Sequence, residues 1–335
     1  MEIRKIQRTG GASFIVSLPK DWVVKKGLKA GDGIHISQNE DGSLLLDQMS
    51  TEKTDPKKKN ITISEEERPD HLLRKLIATY LAGYRLIELR SKGRISPDIR
   101  KTIREFTGKV IGPEIIEETM DMVVLQDISD PTELPQDKCL RRMYLVAKAM
   151  LDDAMTSLKE MDCSLAEDVI SRDSEIDKLC WVIAKQYNII VMDQKLARKL
   201  GVDSRKSLYF KLAAKVIERI ADHTAKICME VRNLKGLKFD PRISEEIADA
   251  SKCSLEILDG SVSSLFGEDV TLANESIDMG ERLKTLAESL VRKAQKIKNE
   301  SAVHLVSIVE SVRRTGLYAT DIAEIAINQA MDMDK

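Results

Sequence analysis

Residues 164–170, Ser164-Leu165-Ala166-Glu167-Asp168-Val169-Ile170, return 107 residues later as Thr271-Leu272-Ala273-Asn274-Glu275-Ser276-Ile277. A second echo, Ile220-Ala221-Asp222 against Ala319-Thr320-Asp321, comes at a separation of 99. Both echoes lie in apolar patterns of helical period. Six such stretches, roughly 136–160, 163–188, 204–234, 241–265, 268–298 and 300–332, fill the chain from 136 onward. Breaks fall at Gly201-Val202-Asp203, Lys235-Gly236 and Phe266-Gly267-Glu268, and Pro241 stands where a fourth helix should begin. Long helices with short connections make antiparallel bundles. The recurrence divides them into two three-helix repeats, 136–235 and 240–333, related by a pseudo-two-fold axis. Amphipathic helices also resemble one another by chance, and the echoes alone leave that alternative open.

The first 48 residues read differently. Met1 to Arg8 alternates, Gly10-Gly11 turns the chain, and Ser13-Phe14-Ile15-Val16-Ser17-Leu18 has the pattern of a buried strand. Pro19 opens a short helix, Lys20 to Lys26, which Gly27 stops. Turn signals at Gly31-Asp32-Gly33 and Asn39-Glu40-Asp41-Gly42 bracket Ile34-His35-Ile36, and Ser43 to Asp47 follows as a last strand. Two hairpins joined by one helix cannot bury an adequate core in so few residues, and an obligate partner is expected.

Between these regions, 49–135 is a linker and a small α/β connector. Thr51 to Asn60 is polar and broken by Pro56, and Ile61-Thr62-Ile63 is a strand. A helix runs from Pro69 to Leu81, with a strand at Tyr84–Leu89 and a helix from Ser96-Pro97-Asp98 to Phe106. Glu114–Glu118 and Met122–Gln126 form a hairpin. The fold class expected is multi-domain α+β: an N-terminal β module, a small α/β connector and a C-terminal all-α domain of two three-helix bundles.

Composition narrows the function classes. Of 335 residues 42% are hydrophobic and 32% charged, an ordinary balance for a soluble chain. No stretch approaches the ~18 apolar residues of a membrane span, and the N-terminus lacks the apolar core of a signal peptide, so a cytoplasmic protein without membrane insertion is expected. Cys139, Cys163, Cys180, Cys228 and Cys253 form no Cys-x-x-Cys pair and read as small apolar side chains in a reducing compartment. Four scattered histidines give no nucleophile–base spacing, and Gly10-Gly11 is not followed by the Gly-Lys-Ser/Thr of a phosphate loop, so no enzyme is expected. The net charge of −2 conceals a basic N-terminus. Residues 1–30 hold Arg4, Lys5, Arg8, Lys20, Lys25, Lys26 and Lys29 against Glu2 and Asp21. Such a stripe is the footprint of a phosphate-backbone reader, with solubilising charge as the plain alternative. Arg4, Lys5 and Arg8 on the first strand, then Lys20 and Lys25 on the short helix, are the candidate DNA contacts.

Glu218 and Asp222 lie four apart and share one helix face, with Lys215 placed to pair with Glu218. Asp173, Glu175 and Asp177 offer further carboxylates on the preceding helix. Oxygen-only ligands suit Mg²⁺ or Mn²⁺, or iron with further carboxylates, although spacing alone favours a solvated charged face. His223 follows Asp222 and points about 100° away on a helix, while His35 and His304 read as packing residues.

The repeat and the text Val216-Ile217-Glu218-Arg219-Ile220-Ala221-Asp222-His223 resemble the PhoU family, the phosphate-signalling regulators. That resemblance covers roughly 136–333 and implies a Glu/Asp-x-x-x-Asp metal motif on the third helix of each repeat. The first repeat has Glu218 and Asp222; in the second only Asp321 matches, because Leu317 replaces the glutamate. Gly280 and Lys284 likewise stand where the first repeat has Asp173 and Asp177, so metal chemistry is expected in the first bundle. Thr9-Gly10-Gly11, Val16-Ser17-Leu18-Pro19-Lys20-Asp21-Trp22 and Gly27-Leu28-Lys29-Ala30-Gly31-Asp32 resemble the AbrB/SpoVT family, which implies a swapped-hairpin homodimer that binds DNA. The whole resembles the archaeal type of phosphate uptake regulator. It implies a transcriptional regulator acting at promoters of phosphate-uptake genes under a PhoU-like helical sensor. The alternative is an adaptor that engages a phosphate-transporter ATPase or a sensor kinase without touching DNA.

Overall fold

The computed structural model describes residues 3–11, 13–38, 42–48, 57–192, 197, 200 and 202–333. The expected turn at Asn39-Glu40-Asp41, the stretch Thr51–Pro56 and Gly201 lie outside the described residues. The chain divides into two compact units, Met1–Asp55 and Pro56–Lys335.

In the first unit, β1 (Gln7–Thr9) and β2 (Ser13–Ile15) pair antiparallel, with Arg8 opposite Phe14. Helix α1 (Lys20–Lys25) follows Pro19, and Gly27 adopts the left-handed φ of +67° that lets the chain leave it. Strands β3 (Ile34–Gln38) and β4 (Leu44–Gln48) form the second hairpin, Ile36 opposite Leu46. The strand expected over Ser13–Leu18 covers three residues and is exposed, with Phe14 71% accessible. Among the described residues of this unit no second layer buries its apolar side chains, as two short hairpins cannot supply one.

The second unit begins with β5 (Lys58–Ile63), α2 (Pro69–Leu81), β6 (Leu86–Ser91), α3 (Pro97–Lys109), β7 (Pro113–Glu118) and β8 (Met122–Asp127). The sheet order is β5-β6-β8-β7; only β5 and β6 run parallel. Prolines at the first helical positions open α2 and α3, and the Ser96 side chain accepts a hydrogen bond from the Ile99 amide. Leu72, Leu76, Tyr80, Ile103 and Phe106 from the helices bury against Ile87, Leu89, Val123 and Leu125 of the sheet.

Among the described residues six long helices follow: α4 (Gln136–Glu160), α5 (Cys163–Met192), α6 (Ser204–Asn233), α7 (Pro241–Gly267), α8 (Val270–Ala294) and α9 (Ser301–Met333). They form two three-helix sets, α4–α6 and α7–α9, joined chiefly where α6 packs on α9. The turns between first and second helices are built alike. Met161 (φ +53°) and Glu268 (φ +55°) are left-handed, and Asp162 and Asp269 then cap α5 and α8. The following amides, of Asp162 and Asp269, donate back to the carbonyls of Ser157 and Ser264. The cores differ in side-chain size. The first repeat buries Leu140, Met143, Met150, Leu151, Ile183 and Phe210. In the second, Ser244, Ser251, Ser254, Ser261 and Ser264 of α7 are buried, and Gly316 of α9 leaves room for Leu283 and Ser254.

Gly112, between α3 and β7, has φ +107°, and a Cβ there would stand 2.2 Å from Asp127 Oδ1 and 2.8 Å from Ser129 Cβ. Gly112→Ala should therefore cost about 2–4 kcal/mol in denaturant unfolding, combining backbone strain with displacement of a buried carboxylate. A loss under ~0.5 kcal/mol would show that the Asp127 pocket yields freely.

Candidate functional site

Helices α5 and α6 run antiparallel as neighbours, and this brings Asp173 and Asp177 to face Glu218 and Asp222. Each of these pairs is spaced by one helical turn, so both carboxylates of a helix project to the shared groove. Glu218 keeps 14% of its side chain exposed and pairs with Lys215 at 2.5 Å. Asp173 Oδ1 and Glu218 Oε2 are buried and lack a hydrogen-bond partner. Burial, then the charges of Asp222, Asp177 and Glu218, push the Asp173 carboxyl up to about 6. Burial and Glu218 raise Asp177, opposed by Lys215 and by Lys109 from the end of α3; burial and Glu218 also raise Asp222. Cys180, one turn beyond Asp177, is pushed up to about 12 by burial and by Glu218. The thiol stays protonated and inert at neutral pH, in keeping with a packing role.

The other candidates are placed apart from this groove. Glu175 pairs with Arg142 of α4 at 2.6 Å, on a different face of α5. Asp321 is raised by burial and Glu324 and lowered by Arg219. In the second repeat Thr320 Cγ2 would lie 2.9 Å from a Cβ at Gly280, and Leu317 Cδ2 3.8 Å, so hydrocarbon fills the space that Asp173 and Glu218 flank in the first. His223 turns to α9, its Nδ1 3.5 Å from Ser311 Oγ and its ring 5.6 Å from that of Tyr318. His304 is no plain packing residue. Its Nδ1 lies 2.7 Å from Glu230 Oε2, and Ser307 Oγ donates to the other oxygen of the same carboxylate. Lys109 and Cys180 border the groove without having been expected there: nothing in local spacing links α3 to α5, whereas the i, i+3 spacing of Asp177 and Cys180 could have pointed to the thiol.

An all-oxygen donor set with two orphaned buried oxygens fits a hard cation in its chemistry. Among the described residues, however, no three His, Cys, Asp or Glu side chains stand close enough to hold a metal ion as they are placed.

In the N-terminal unit, Arg4, Lys5, Arg8, Lys20 and Lys25 are all exposed. Arg4 and Lys5 precede β1 rather than lying on it; Arg8 is on the strand, and its guanidinium donates to the Gly11 carbonyl at 2.6 Å, bracing the turn. Arg4 Nη1 reaches Ser17 Oγ at 3.4 Å. Lys20 and Lys25 stand at opposite ends of α1.

Two three-helix repeats joined through their third helices, the first of them carrying acidic pairs one turn apart on neighbouring helices, define a duplicated all-helical domain. Residues 140–231 and 247–326, just over half the chain, match the family described as PhoU domain, and the chain belongs to the PhoU family. Residues 7–61 match the family described as Antidote-toxin recognition MazE, bacterial antitoxin, which makes the N-terminal unit MazE/AbrB-like. The phosphate-specific transport system accessory protein PhoU homolog 1 of Thermotoga maritima is 26% identical over 195 residues, covering 56% of this chain and 82% of that protein. The crystal structure of PhoU from Pseudomonas aeruginosa superposes with a TM-score of 0.53 at 18% identity, covering 60% of this chain and 98% of the other. The phosphate transport system regulatory protein PhoU from Streptococcus pneumoniae gives 0.51 at 16% identity, covering 58% and 92%. At these identities the two structures establish the fold of the helical domain.

The raised Asp173 carboxyl gives a pH test. Its folded value, about 6, lies above the ordinary 3.8, so between these values the folded chain holds a proton that the unfolded chain releases. Stability from this group is therefore present at low pH and lost as pH rises through 6. In chelator-treated protein, Asp173→Asn should melt about 2–4 °C higher than the parent at pH 7, and the difference should close near pH 4. A constant difference across that range would show that Asp173 titrates normally.

Proposed function

We propose that this chain is a DNA-binding regulator of phosphate uptake, a homodimer through its N-terminal unit, controlled by the PhoU domain. The observation that carries this reading is the union, in one chain, of a MazE/AbrB-like unit with exposed basic side chains and a PhoU domain. The exposed Ile6, Phe14, Ile36 and Leu44 support the dimer, since a second copy would cover apolar surface that one small unit leaves in water. Two copies would present Arg4, Lys5, Arg8, Lys20 and Lys25 twice, suiting pseudo-palindromic DNA.

The carboxylate groove of the first repeat is the proposed effector site. Glu218, Asp222, Asp173 and Asp177 would hold a divalent cation or iron, which would neutralise their mutual repulsion. Asp321 belongs to a different neighbourhood and is left out of that set. By favouring one arrangement of the helices, such a ligand would shift the population of DNA-competent dimers. The adaptor reading, in which the helical domain engages a transporter ATPase or a sensor kinase, is favoured by the Thermotoga relative, described as an accessory protein of a phosphate-specific transport system.

Binding of the full-length protein to DNA upstream of phosphate-uptake genes, measured across salt concentrations, separates the two. Arg4→Ala/Arg8→Ala should weaken binding on the order of 10–100-fold and flatten the log–log salt slope by about 2–4, as lost phosphate contacts release fewer counterions. Unchanged affinity and slope would remove these residues from the interface, and no binding by the parent protein would favour the adaptor. For the groove, metal content of protein purified without chelator should fall by at least half in Asp222→Ala; equal content in both would sink the cation assignment.

A further inference from the structure

Lysine is rarely buried without a partner, yet Lys185 of α5 keeps only 3% of its side chain exposed. Its Nζ donates to Asp127 Oδ2 at 2.7 Å and to Ser129 Oγ at 3.1 Å, and lies 4.4 Å from the centre of the Tyr80 ring. Asp127, 8% exposed at the end of β8, also accepts from the Ser129 amide and hydroxyl. The pair thus joins the connector to the first helical repeat through a buried contact. Such a pair stabilises little in net terms, but it fixes register, because any other seating would strand a buried charge. One turn on, Asn188 Nδ2 donates to the Leu81 carbonyl at 2.7 Å. Ile189 lies so close that a Cβ at Gly83 would stand 2.7 Å from its Cγ1.

Among the described residues the second repeat has no such joint. Aligned on their first residues, α8 ends at Ala294, the position of Tyr187, so Asn188 and Ile189 belong to an extension that α8 lacks. The counterpart of Lys185 is the exposed Arg292. The helix with the additional turn is also the one that carries Asp173 and Asp177, and Asp177 is eight residues, about 12 Å, from Lys185. Lys109 of the connector acts on the same Asp177. Two features that break the symmetry of the duplication, the acidic pair and the added turn, therefore fall on α5.

We infer that the connector is a rigid arm of the first repeat alone, that Lys185 and Asp127 are the positioning residues that lock it there, and that α5 carries a change of charge in the carboxylate groove into the connector sheet. The inference rests on the regulatory reading above only for its purpose. The coupling itself is tested without DNA or metal.

The test is hydrogen exchange across the full-length chain, with Asp173→Asn/Asp177→Asn as the perturbation. In the parent background, neutralising the groove should alter protection several-fold in α5 and α6 and also in β6 and β8. Lys185→Met should lower protection of β6 and β8 by about 100-fold while leaving α7–α9 within about two-fold, since it strands the Asp127 carboxylate. In that background the effect of the groove substitutions should stop before the sheet. If Lys185→Met loses its helical circular dichroism, Asn188→Ala replaces it, and should weaken the same transmission in a folded protein. Perturbation confined to α5 and α6 in the parent, or reaching β6 and β8 undiminished in both variants, would overturn the inference. Success here together with an absence of DNA binding would leave the lock standing and count only against the regulatory reading.

Discussion

Helix α6 is packed on three sides, by α4, α5 and α9, and the organisation of the helical domain follows from how it meets that constraint. Phe210, Ala213, Ala214, Ile217, Ile220, Ala221, Thr224 and Cys228 are all buried, so little of its circumference is left for charge. Glu218 and Asp222 must then share one strip, and the nearest surface across that strip is the face of α5 bearing Asp173 and Asp177. The electrostatic tension of the groove is thus a by-product of packing: the buried residues behind them fix the helix positions from which the four carboxylates project. His223, about 100° round the helix, is directed by the same geometry to α9. One helix therefore presents its acidic strip to its own repeat and its polar contacts to the other.

Much of this was legible in the sequence, and the reasons differ by element. The six helices, α2 and α3, and the β7–β8 hairpin announce themselves because their apolar periods are long and their starts are marked by Pro or by Ser/Asp caps. The left-handed residues that end α4 and α7 do not, because Met161 and Glu268 occupy positions where glycine is the usual signal. For that reason Gly267 reads as the stop although the reversal falls one residue later. The strand over Ser13–Leu18 has the apolar text of a core strand, yet text alone does not say whether its cover comes from the same chain.

The candidate site shows the same division. Spacing of four selects Asp173 with Asp177 and Glu218 with Asp222, and the antiparallel packing unites them. Spacing of two removes Glu175, which turns to Arg142. What sequence cannot supply is contact between elements distant along the chain. Lys185 stands in an apolar stretch like any lysine on a solvated face, and only the sheet placed over it reveals a buried ion pair with Asp127. Lys109 of α3 reaches Asp177 in the same way, whereas Cys180 lies one turn along α5 from Asp177 and within reach of local spacing.

The serine-lined interior of the second repeat has a thermodynamic consequence of its own. Helices that approach over Ser254, Gly316, Gly280 and Ser276 hold together through short-range dispersion, with the Ser254 hydroxyl donating across to the Val312 carbonyl, more than through large apolar areas withdrawn from water. The heat capacity released on unfolding tracks apolar area, so each residue of this repeat contributes less of it than a residue packed on Met150, Leu151 or Phe210. A flatter stability curve follows for that half of the domain. On cooling it loses less of its cohesion than its partner, so the two halves of one duplication answer temperature differently although they share a fold.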